Sequence, residues 1–200
     1  MIERELERPI DVLFSHFNDT PVAAASIAQV HFAVTAEGDE VAVKVLRPGI
    51  ERAFRRDIDL FRWLAALGVR VAPPLRRLKP EEVVDMFDRT TRMEMDLRME
   101  AAAASEIGHN FADDPDFYIP RVNWDRTAQR VLTLERIHGI KVDEIERLRE
   151  AGYDPDRALA MASAAFFKQV FRDGFFHADM HPGNLFVNRD GRVAAVDFGI

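Results

Sequence analysis

The chain has 200 residues, 48% of them hydrophobic and 30% charged, a balance typical of folded globular proteins that excludes a disordered chain. Its net charge of −7 excludes the overall basic field of nucleic-acid-binding proteins, so we expect no nucleic-acid partner. The absence of cysteine excludes disulfides, zinc–thiolate sites and cysteine nucleophiles.

The first half of the chain predicts a β-hairpin followed by two long helices. Val, Ala and Ile are dense on both sides of Gly38-Asp39, whose turn would join two strands. Apolar residues then recur every three or four positions, as in a helix, until prolines interrupt the pattern. The predicted elements are a helical or irregular lead-in over 10–17, strands over 27–35 and 40–46, and helices over 50–69 and 80–108.

The second half predicts strands, then helices, then a final hairpin. The strands cover 117–125 and 130–137, and the helices cover 142–152 and 155–173. LFVN and VAAV would form the hairpin on either side of a tight turn. A strand-rich first part and a helix-rich second part indicate an α+β protein of two lobes, joined near residues 135–140.

Three polar residues near the end have side chains suited to phosphoryl transfer. This reaction needs positioning, charge neutralisation and metal ions bound by hard oxygen ligands. Asp179 can accept a hydroxyl proton, while Asn184 and Asp197 can provide an amide oxygen and a carboxylate to Mg²⁺. The protein-kinase signature has the same order: a catalytic Asp, an Asn five positions later, and then D-F-G.

Two upstream segments fit the same signature. The stretch VAVK, ending at Lys44, matches the strand V-A-I-K whose lysine contacts the α- and β-phosphates. The stretch AAASIAQV over 23–30 aligns with the loop G-x-G-x-x-G-x-V, with alanine at each glycine. Each match is weak alone, but together and in this order they predict a nucleotide site.

With these motifs in place, the sequence resembles the UbiB-type atypical kinases, a family linked to ubiquinone biosynthesis. The resemblance covers nearly the whole chain, through PVAAASIAQVH, VAVKVLRPGI, EMDLRMEAAAAS, LERIHGIKV and FRDGFFHADMHPGNLFV. It implies a protein-kinase-like two-lobe fold, binding of ATP or ADP with Mg²⁺, and kinase or ATPase activity that supports lipid-quinone production. It also implies partners among quinone-biosynthesis proteins, lipids and quinone precursors.

The resemblance assigns a role to each candidate site residue. Lys44 would contact ATP and pair with Glu100, and Asp179 would be the catalytic Asp. Asn184 and Asp197 would bind the metal. The other nucleotide-contacting positions would be Ala23, Ala24, Ala25, Ser26, Ala28 and Val30, with Glu135 and Ile137 at the hinge. Glu94 and Asp96 match the family's E-x-D pair.

Helix geometry separates the three acidic residues. At 100° per residue, Asp96 and Glu100 lie about 40° apart, whereas Glu94 points nearly opposite Asp96. A straight helix cannot aim all three at one point. We therefore expect Glu100 to face Lys44, and the E-x-D pair to serve another surface.

Alanine in place of the loop glycines has a physical consequence. Its methyl group disfavours positive φ and keeps the backbone farther from phosphate. We expect a looser hold on the γ-phosphate, which favours slow ATP turnover or nucleotide sensing over transfer to protein substrates.

The sequence departs from the family pattern at both ends. The family's K-x-G-Q stretch is missing, and the activation segment and later C-lobe helices would follow Ile200. We therefore expect a fragment with an N-lobe over 1–136 and a partial C-lobe over 137–200, exposing apolar surface. No apolar run is long enough to span a membrane, and the charged N-terminus lacks a signal peptide. We expect a cytoplasmic chain, with peripheral contact at the inner face of a membrane left open.

Two other functions stay open. Aminoglycoside and choline phosphotransferases have a catalytic loop similar to HADMHPGN, but usually D-x-D instead of D-F-G and no alanine loop. A non-catalytic nucleotide-binding scaffold is the second alternative.

The local sequence also supports several simpler expectations. His177, Asp179 and His181 alternate and could hold a transition metal on one face of an extended strand. Phe175, Phe176 and Leu185 would surround Asp179 with apolar groups, where an unused carboxylate is costly. The remaining large aromatic residues are expected in the core: Phe111, Phe117, Trp124, Phe166 and Phe167.

Overall fold

The computed structural model describes residues 1–24, 27–177 and 179–199. Ala25 and Ser26 of the predicted nucleotide loop lie outside this described part. The helices are α1 Ile2–Leu6, α2 Ile10–Leu13, α3 Ile50–Val71, α4 Pro80–Glu94, α5 Leu97–Asn110, α6 Ile145–Glu150 and α7 Pro155–Lys168. The strands are β1 Phe14–Phe17, β2 Ala23–Ala24, β3 Ala28–Thr35, β4 Glu40–Leu46, β5 Phe117–Tyr118, β6 Val131–Glu135, β7 Gly139–Lys141, β8 Leu185–Asn188 and β9 Val193–Ala195.

The first sheet is antiparallel, in the order β1-β3-β4-β6, with β2 added at β3. The predicted hairpin is confirmed as β3 and β4. Side chains alternate along β4, so its three valines face the core formed with α1 and α2, and Lys44 faces the opposite side. Lys44 is paired with Val30 on one side and Leu132 on the other, which places it inside the sheet.

The second sheet has the order β5-β9-β8-β7. The predicted hairpin near the end of the chain is confirmed as β8 and β9, with Leu185 opposite Ala195. At the start of β7, a Cβ on Gly139 would lie 2.5 Å from the carbonyl oxygen of Val187. Glycine is therefore required where the chain crosses from the first sheet to the second.

The main core of the second part includes side chains from α5. Ala104 and Ile107 of that helix and Phe117 of β5 pack with Ala162 of α7 and Val193 of β9. Leu97 and Ala101, nearer the start of α5, belong to a different core cluster, beside the first sheet. α5 therefore packs into two core clusters, and the α+β architecture agrees with the sequence.

The single helix expected over 80–108 is wrong, because it is two helices with a break. α4 ends at Glu94, and α5 restarts at Leu97. Asp96 causes the restart, since its side chain accepts a hydrogen bond from the backbone N–H of Arg98, 3.1 Å away. An Asp at this position satisfies an N–H that a new helix would otherwise leave unpaired.

The strands expected over 117–125 and 130–137 are also too long. Only Phe117–Tyr118 and Val131–Glu135 are strands, because Pro120 cannot donate to a ladder and Trp124–Arg126 forms a short 3₁₀ turn. The helix expected over 155–173 passes at Lys168 into a π turn, Gln169–Asp173. Three short strands were not expected: β1, β2 and β7.

Several large apolar side chains lie on the surface. Phe111 and Phe117 are buried as expected, but Trp124, Phe166 and Phe167 are exposed, which corrects their assignment to the core. Further exposed apolar side chains lie on α3 and α4 and include Trp63, Leu64 and Met86. In the described part of the chain, no helix combines the length and the apolar composition that crossing a bilayer requires.

Candidate functional site

Lys44 is the centre of a charge cluster between the two sheets. Its ammonium donates to both carboxylate oxygens of Glu100, each 2.9 Å away, and to Oδ1 of Asp197 at 2.5 Å. The Lys44 side chain is only 16% exposed. Residues from a strand, a helix and the end of a hairpin therefore meet at one nitrogen atom.

Glu100 connects this cluster to the chain beyond Asp197. It lies in the first turn of α5, is buried, and its Oε1 also accepts from the backbone N–H of Phe198 at 3.2 Å. One carboxylate thus orients both the lysine and the backbone that carries Asp197. Burial raises the pKa of Glu100, and the nearby charge of Lys44 only partly opposes this effect.

Lys44 and Asp197 each stabilise the charged form of the other. Burial alone would lower the pKa of Lys44, but Glu100 and Asp197 outweigh it and leave the pKa raised. Burial would likewise raise the pKa of Asp197, but Lys44 outweighs it and leaves that pKa lowered. Lys44 and Asp197 are therefore both charged near neutral pH.

The β8–β9 hairpin brings Asn184 and Asp197 to the same end of the second sheet. Asn184 precedes β8, and its carbonyl oxygen accepts from the N–H of Val196, 2.9 Å away. Asp197 follows with a left-handed backbone, at φ 66°. Left-handed backbone is uncommon outside glycine, although Asp tolerates it better than most residues. The Asp197 side chain is 45% exposed and pairs with Lys44.

The turn that carries Asp179 is held by its neighbours rather than by burial of Asp179. The N–H of Asp179 donates to Nδ1 of His177 at 3.1 Å, and the N–H of His177 donates to Oε1 of Gln169 at 2.8 Å. Asp179 itself is exposed, and so are Phe175 and Phe176, which corrects the expectation of an apolar surrounding.

His177 has a defined protonation state in this turn. Its ring is buried, and burial lowers its pKa, so the ring is neutral near pH 7. Because Nδ1 accepts a hydrogen bond, the proton is assigned to Nε2. Nε2 has no hydrogen-bond partner among the described residues.

Lys44, Glu100, Asp179 and Asp197 border a cavity of about 370 Å³. Its lining includes Ile27, Lys44, Glu94, Asp96, Leu97, Glu100, Asp179, Asp197 and Phe198. Glu94 and Asp96 therefore border the same cavity as Lys44, whereas we expected them on another surface, and the Asp96 carboxylate pairs with Arg98 at 2.6 Å. The straight-helix geometry fails because the chain breaks between α4 and α5, so the 100° spacing does not apply across Asp96.

Other predicted positions lie outside this lining among the described residues. Ala23 and Ala24 are exposed and pair with Val30 and Gln29, whereas Ala28 is buried. Asn184 is half-buried before β8, and Ile137 is half-buried after β6.

Glu135, predicted at the hinge, uses its side chain to contact two neighbouring residues. Its carboxylate accepts from the Tyr118 hydroxyl at 2.5 Å and from Arg121 at 3.1 Å. Burial and this carboxylate raise the pKa of Tyr118 to about 12. The Glu135 side chain therefore ties β6 to β5.

The residues present fit a magnesium ion bound together with phosphate. Mg²⁺ in phosphoryl-transfer sites takes one or two carboxylates, with waters and substrate phosphates completing its shell. Asp197 and the amide of Asn184 offer hard oxygen donors of this kind at one end of the hairpin. In the described residues, no three acidic or histidine side chains are grouped so as to hold a metal by themselves.

The transition-metal interpretation of His177, Asp179 and His181 is wrong. These residues do not form an extended strand. His177 is buried, whereas His181 is exposed and its Nδ1 accepts from the N–H of Gly183. The two rings are therefore committed to separate turns.

Sequence reasoning missed two contributors. Gln169, fully buried, holds His177, and the backbone of Phe198 contacts Glu100. The sequence could have pointed to Gln169 as a single amide side chain directly after a largely apolar helix, within AFFKQVF. A backbone contact such as that of Phe198 leaves no sequence signal.

Comparisons with known proteins show which family the chain resembles. The family model described as ABC1 atypical kinase-like domain matches residues 1–200. The chain is 46% identical over 204 residues to the probable protein kinase UbiB of Marinobacter nauticus, covering 100% of this chain and 37% of that protein.

Solved structures show the same likeness. The complex of Rv3197 with erythromycin, from Mycobacterium tuberculosis, is 36% identical with a TM-score of 0.79, covering 99% of this chain and 49% of that one. The apo form of PpkA-294 is 13% identical with a TM-score of 0.50, covering 90% of this chain and 57% of that one, and it shows likeness of fold alone. The chain thus spans less than half the length of the UbiB and Rv3197 proteins that it matches.

Proposed function

This chain belongs to the ABC1 atypical kinase-like family, and on that premise we propose that it binds ATP or ADP with Mg²⁺ and supports phosphoryl transfer or ATP hydrolysis. One observation carries the proposal. The ammonium of Lys44 lies within hydrogen-bonding distance of both Glu100 and Asp197, beside a cavity that Asp179 also borders.

Each residue has a task that its surroundings suit. Glu100 holds Lys44 in place, so the ammonium can neutralise phosphate charge without losing its orientation. Asp179, exposed at the cavity, can accept a proton from a hydroxyl group or a water molecule. Asn184 and Asp197 would hold Mg²⁺, which when bound neutralises charge on the phosphate oxygens.

The contact between Lys44 and Asp197 must change when nucleotide binds. In the structure, Lys44 neutralises Asp197, and both groups would be needed by the phosphates and the cation. Lys44 would then pair with phosphate and Asp197 with Mg²⁺, in place of their present contact with each other. The proposal accordingly expects nucleotide affinity to depend on Mg²⁺.

A role in lipid-quinone production extends the proposal. It rests on the resemblance to UbiB-type kinases and on the likeness to a protein named probable protein kinase UbiB. Quinone-biosynthesis proteins or lipid precursors would then be the partners, in the cytoplasm or at the inner face of a membrane.

The experiment compares wild type with Asp197→Asn and measures nucleotide binding, with and without Mg²⁺, alongside phosphate release. Asp190→Asn is the matched control, because Asp190 is exposed in the turn of the same hairpin. We expect Asp197→Asn to lose the Mg²⁺-dependent part of its nucleotide affinity and to release phosphate at least about 100-fold more slowly. Asp190→Asn should behave as wild type in both measurements.

The remaining outcomes separate the alternatives. Nucleotide binding without turnover in wild type would favour the scaffold, and transfer to a small alcohol would favour a small-molecule phosphotransferase. No nucleotide binding in wild type would reject the proposal altogether.

A further inference from the structure

Gln169 is a fully buried polar side chain at the point where α7 passes into the π turn. A buried amide is costly unless its donor and acceptor groups find partners. The roles proposed above do not use this residue. Its partners therefore indicate what the amide does in this fold.

Both ends of the Gln169 amide point to the turn that carries Asp179. Oε1 accepts from the backbone N–H of His177 at 2.8 Å, and Nε2 lies 3.6 Å from Sδ of Met180. These partners stand on either side of Asp179 in the chain. One amide thus spans the turn and fixes it to α7.

The contacts continue from His177 toward Asp179 and Asp197. Its Nδ1 accepts from the N–H of Asp179, and its ring lies 5.1 Å from the ring of Phe198, tilted by 39°. Phe198 directly follows Asp197. A displacement of His177 would therefore reach Asp179 through a hydrogen bond and Asp197 through ring packing.

We propose that Gln169 is a positioning residue, which holds the turn from His177 to Met180 so that Asp179 faces the cavity beside Lys44. This inference rests on the proposed function for the role of Asp179, but the hydrogen bond between His177 and Gln169 is a property of the fold. Gln169 acts through His177 and touches neither nucleotide nor substrate.

An apolar residue would fill the same space at little cost to packing. Methionine has nearly the length and flexibility of glutamine, and replacing a buried polar group with an apolar one of similar shape can be close to neutral in itself. The penalty falls on the partner, because the buried N–H of His177 would lose its acceptor. The turn would then rearrange to find another partner.

The experiment uses the full chain with Gln169→Met, Gln169→Glu and the control Thr35→Val. Glutamate keeps an oxygen acceptor at the same reach, so it serves as the conservative variant. Thr35 is fully buried, and its hydroxyl accepts from the N–H of Asp39 at the far end of β3. Thr35→Val therefore tests whether removing a buried polar group elsewhere in the fold has the same effect. The readouts are kcat for MgATP turnover, the Kd of nucleotide, and hydrogen exchange of residues 175–181.

We expect Gln169→Met to lower kcat by about tenfold or more, equivalent to one lost hydrogen bond, while the nucleotide Kd changes by less than about twofold. Amide exchange in the 175–181 segment should become faster. Gln169→Glu should recover most of kcat and of the protection, and Thr35→Val should leave both as in wild type.

Wild-type kcat and wild-type exchange in Gln169→Met would overturn the inference. If wild type shows no turnover, the proposed function fails, and the exchange data still decide whether Gln169 holds the turn. If Gln169→Met does not fold, Gln169→Asn replaces it: a shorter amide that stays polar but no longer reaches His177 should give the same two changes.

Discussion

The wall of the cavity that carries Lys44 is part of a continuous antiparallel sheet, whereas the wall that carries Asp179 and Asp197 consists of turns. Lys44 is flanked by paired strands on both sides and by a buried core on the opposite face. Asp179 is exposed and depends on the two hydrogen bonds that pass through His177.

This difference indicates how each wall responds to change. Displacing Lys44 would require breaking a ladder and a core, so its position is as stable as the fold. Displacing the Asp179 turn would require only a few local bonds. Substitutions in the sheet wall should therefore act through lost chemistry or global stability, and substitutions in the turn wall through local geometry.

The largest effect is expected from Lys44→Met, which removes the cation that pairs with Glu100 and Asp197. We expect phosphate release to fall by about 10²–10³-fold, since a preorganised charge on the phosphates is lost. The melting temperature should also fall, because two close carboxylates are left without a counter-charge. Lys141→Met, at an exposed position of β7, is the control. An unchanged phosphate release would contradict the role given to the sheet wall.

A smaller effect is expected from Glu100→Gln, which keeps the shape of the side chain and one acceptor oxygen. Lys44 would remain paired with Asp197 but would lose the negative charge of its other partner. We therefore expect phosphate release to drop by about 10–100-fold. Glu106→Gln, on the exposed face of the same helix, should behave as wild type. Equal activity of the two variants would show that the helix does not orient Lys44.

The same pair of variants tests the electrostatics of the cluster. The pKa of Glu100 is raised above its unfolded value of 4.5, so the folded state holds the proton more tightly than the unfolded state. Wild type should therefore lose stability relative to Glu100→Gln as the pH rises from 4.5 through the folded-state pKa. Thermal melts across this range measure the effect. A stability difference that does not depend on pH would mean that Glu100 is not perturbed.

The smallest effect is expected at Asp96, where the chain breaks between α4 and α5. Asp96→Ala removes the cap of α5 and should cost about 1 kcal/mol of the free energy of unfolding. Asp113→Ala, at an exposed position beyond the end of α5, is the control and should cost less than about 0.5 kcal/mol. Chemical denaturation measures both. A loss of turnover in Asp96→Ala larger than its loss of stability explains would show that the break between α4 and α5 also shapes the cavity.

Sequence reasoning succeeded where a local pattern and a motif coincided. The alternation in EVAVKVL predicted the strand that carries Lys44, and the turn residues of the last hairpin predicted the pairing that brings Asn184 near Asp197. It failed at Asp96, where a capping residue inside a helical pattern was counted as part of the helix. It failed again at β1, β2 and β7, which are too short to show a period and exist only because a partner strand is available.

The amino-acid sequence by itself determined the α+β class and the central hairpins, and it supplied the residues proposed to bind phosphate, because these depend on side-chain period and chemistry within short segments. The tertiary structure alone decided that Glu94 and Asp96 share a cavity with Lys44, and that a buried amide from α7 holds the Asp179 turn. Such contacts join segments far apart in the chain. They depend on where a helix breaks and how elements pack, and no local pattern records either.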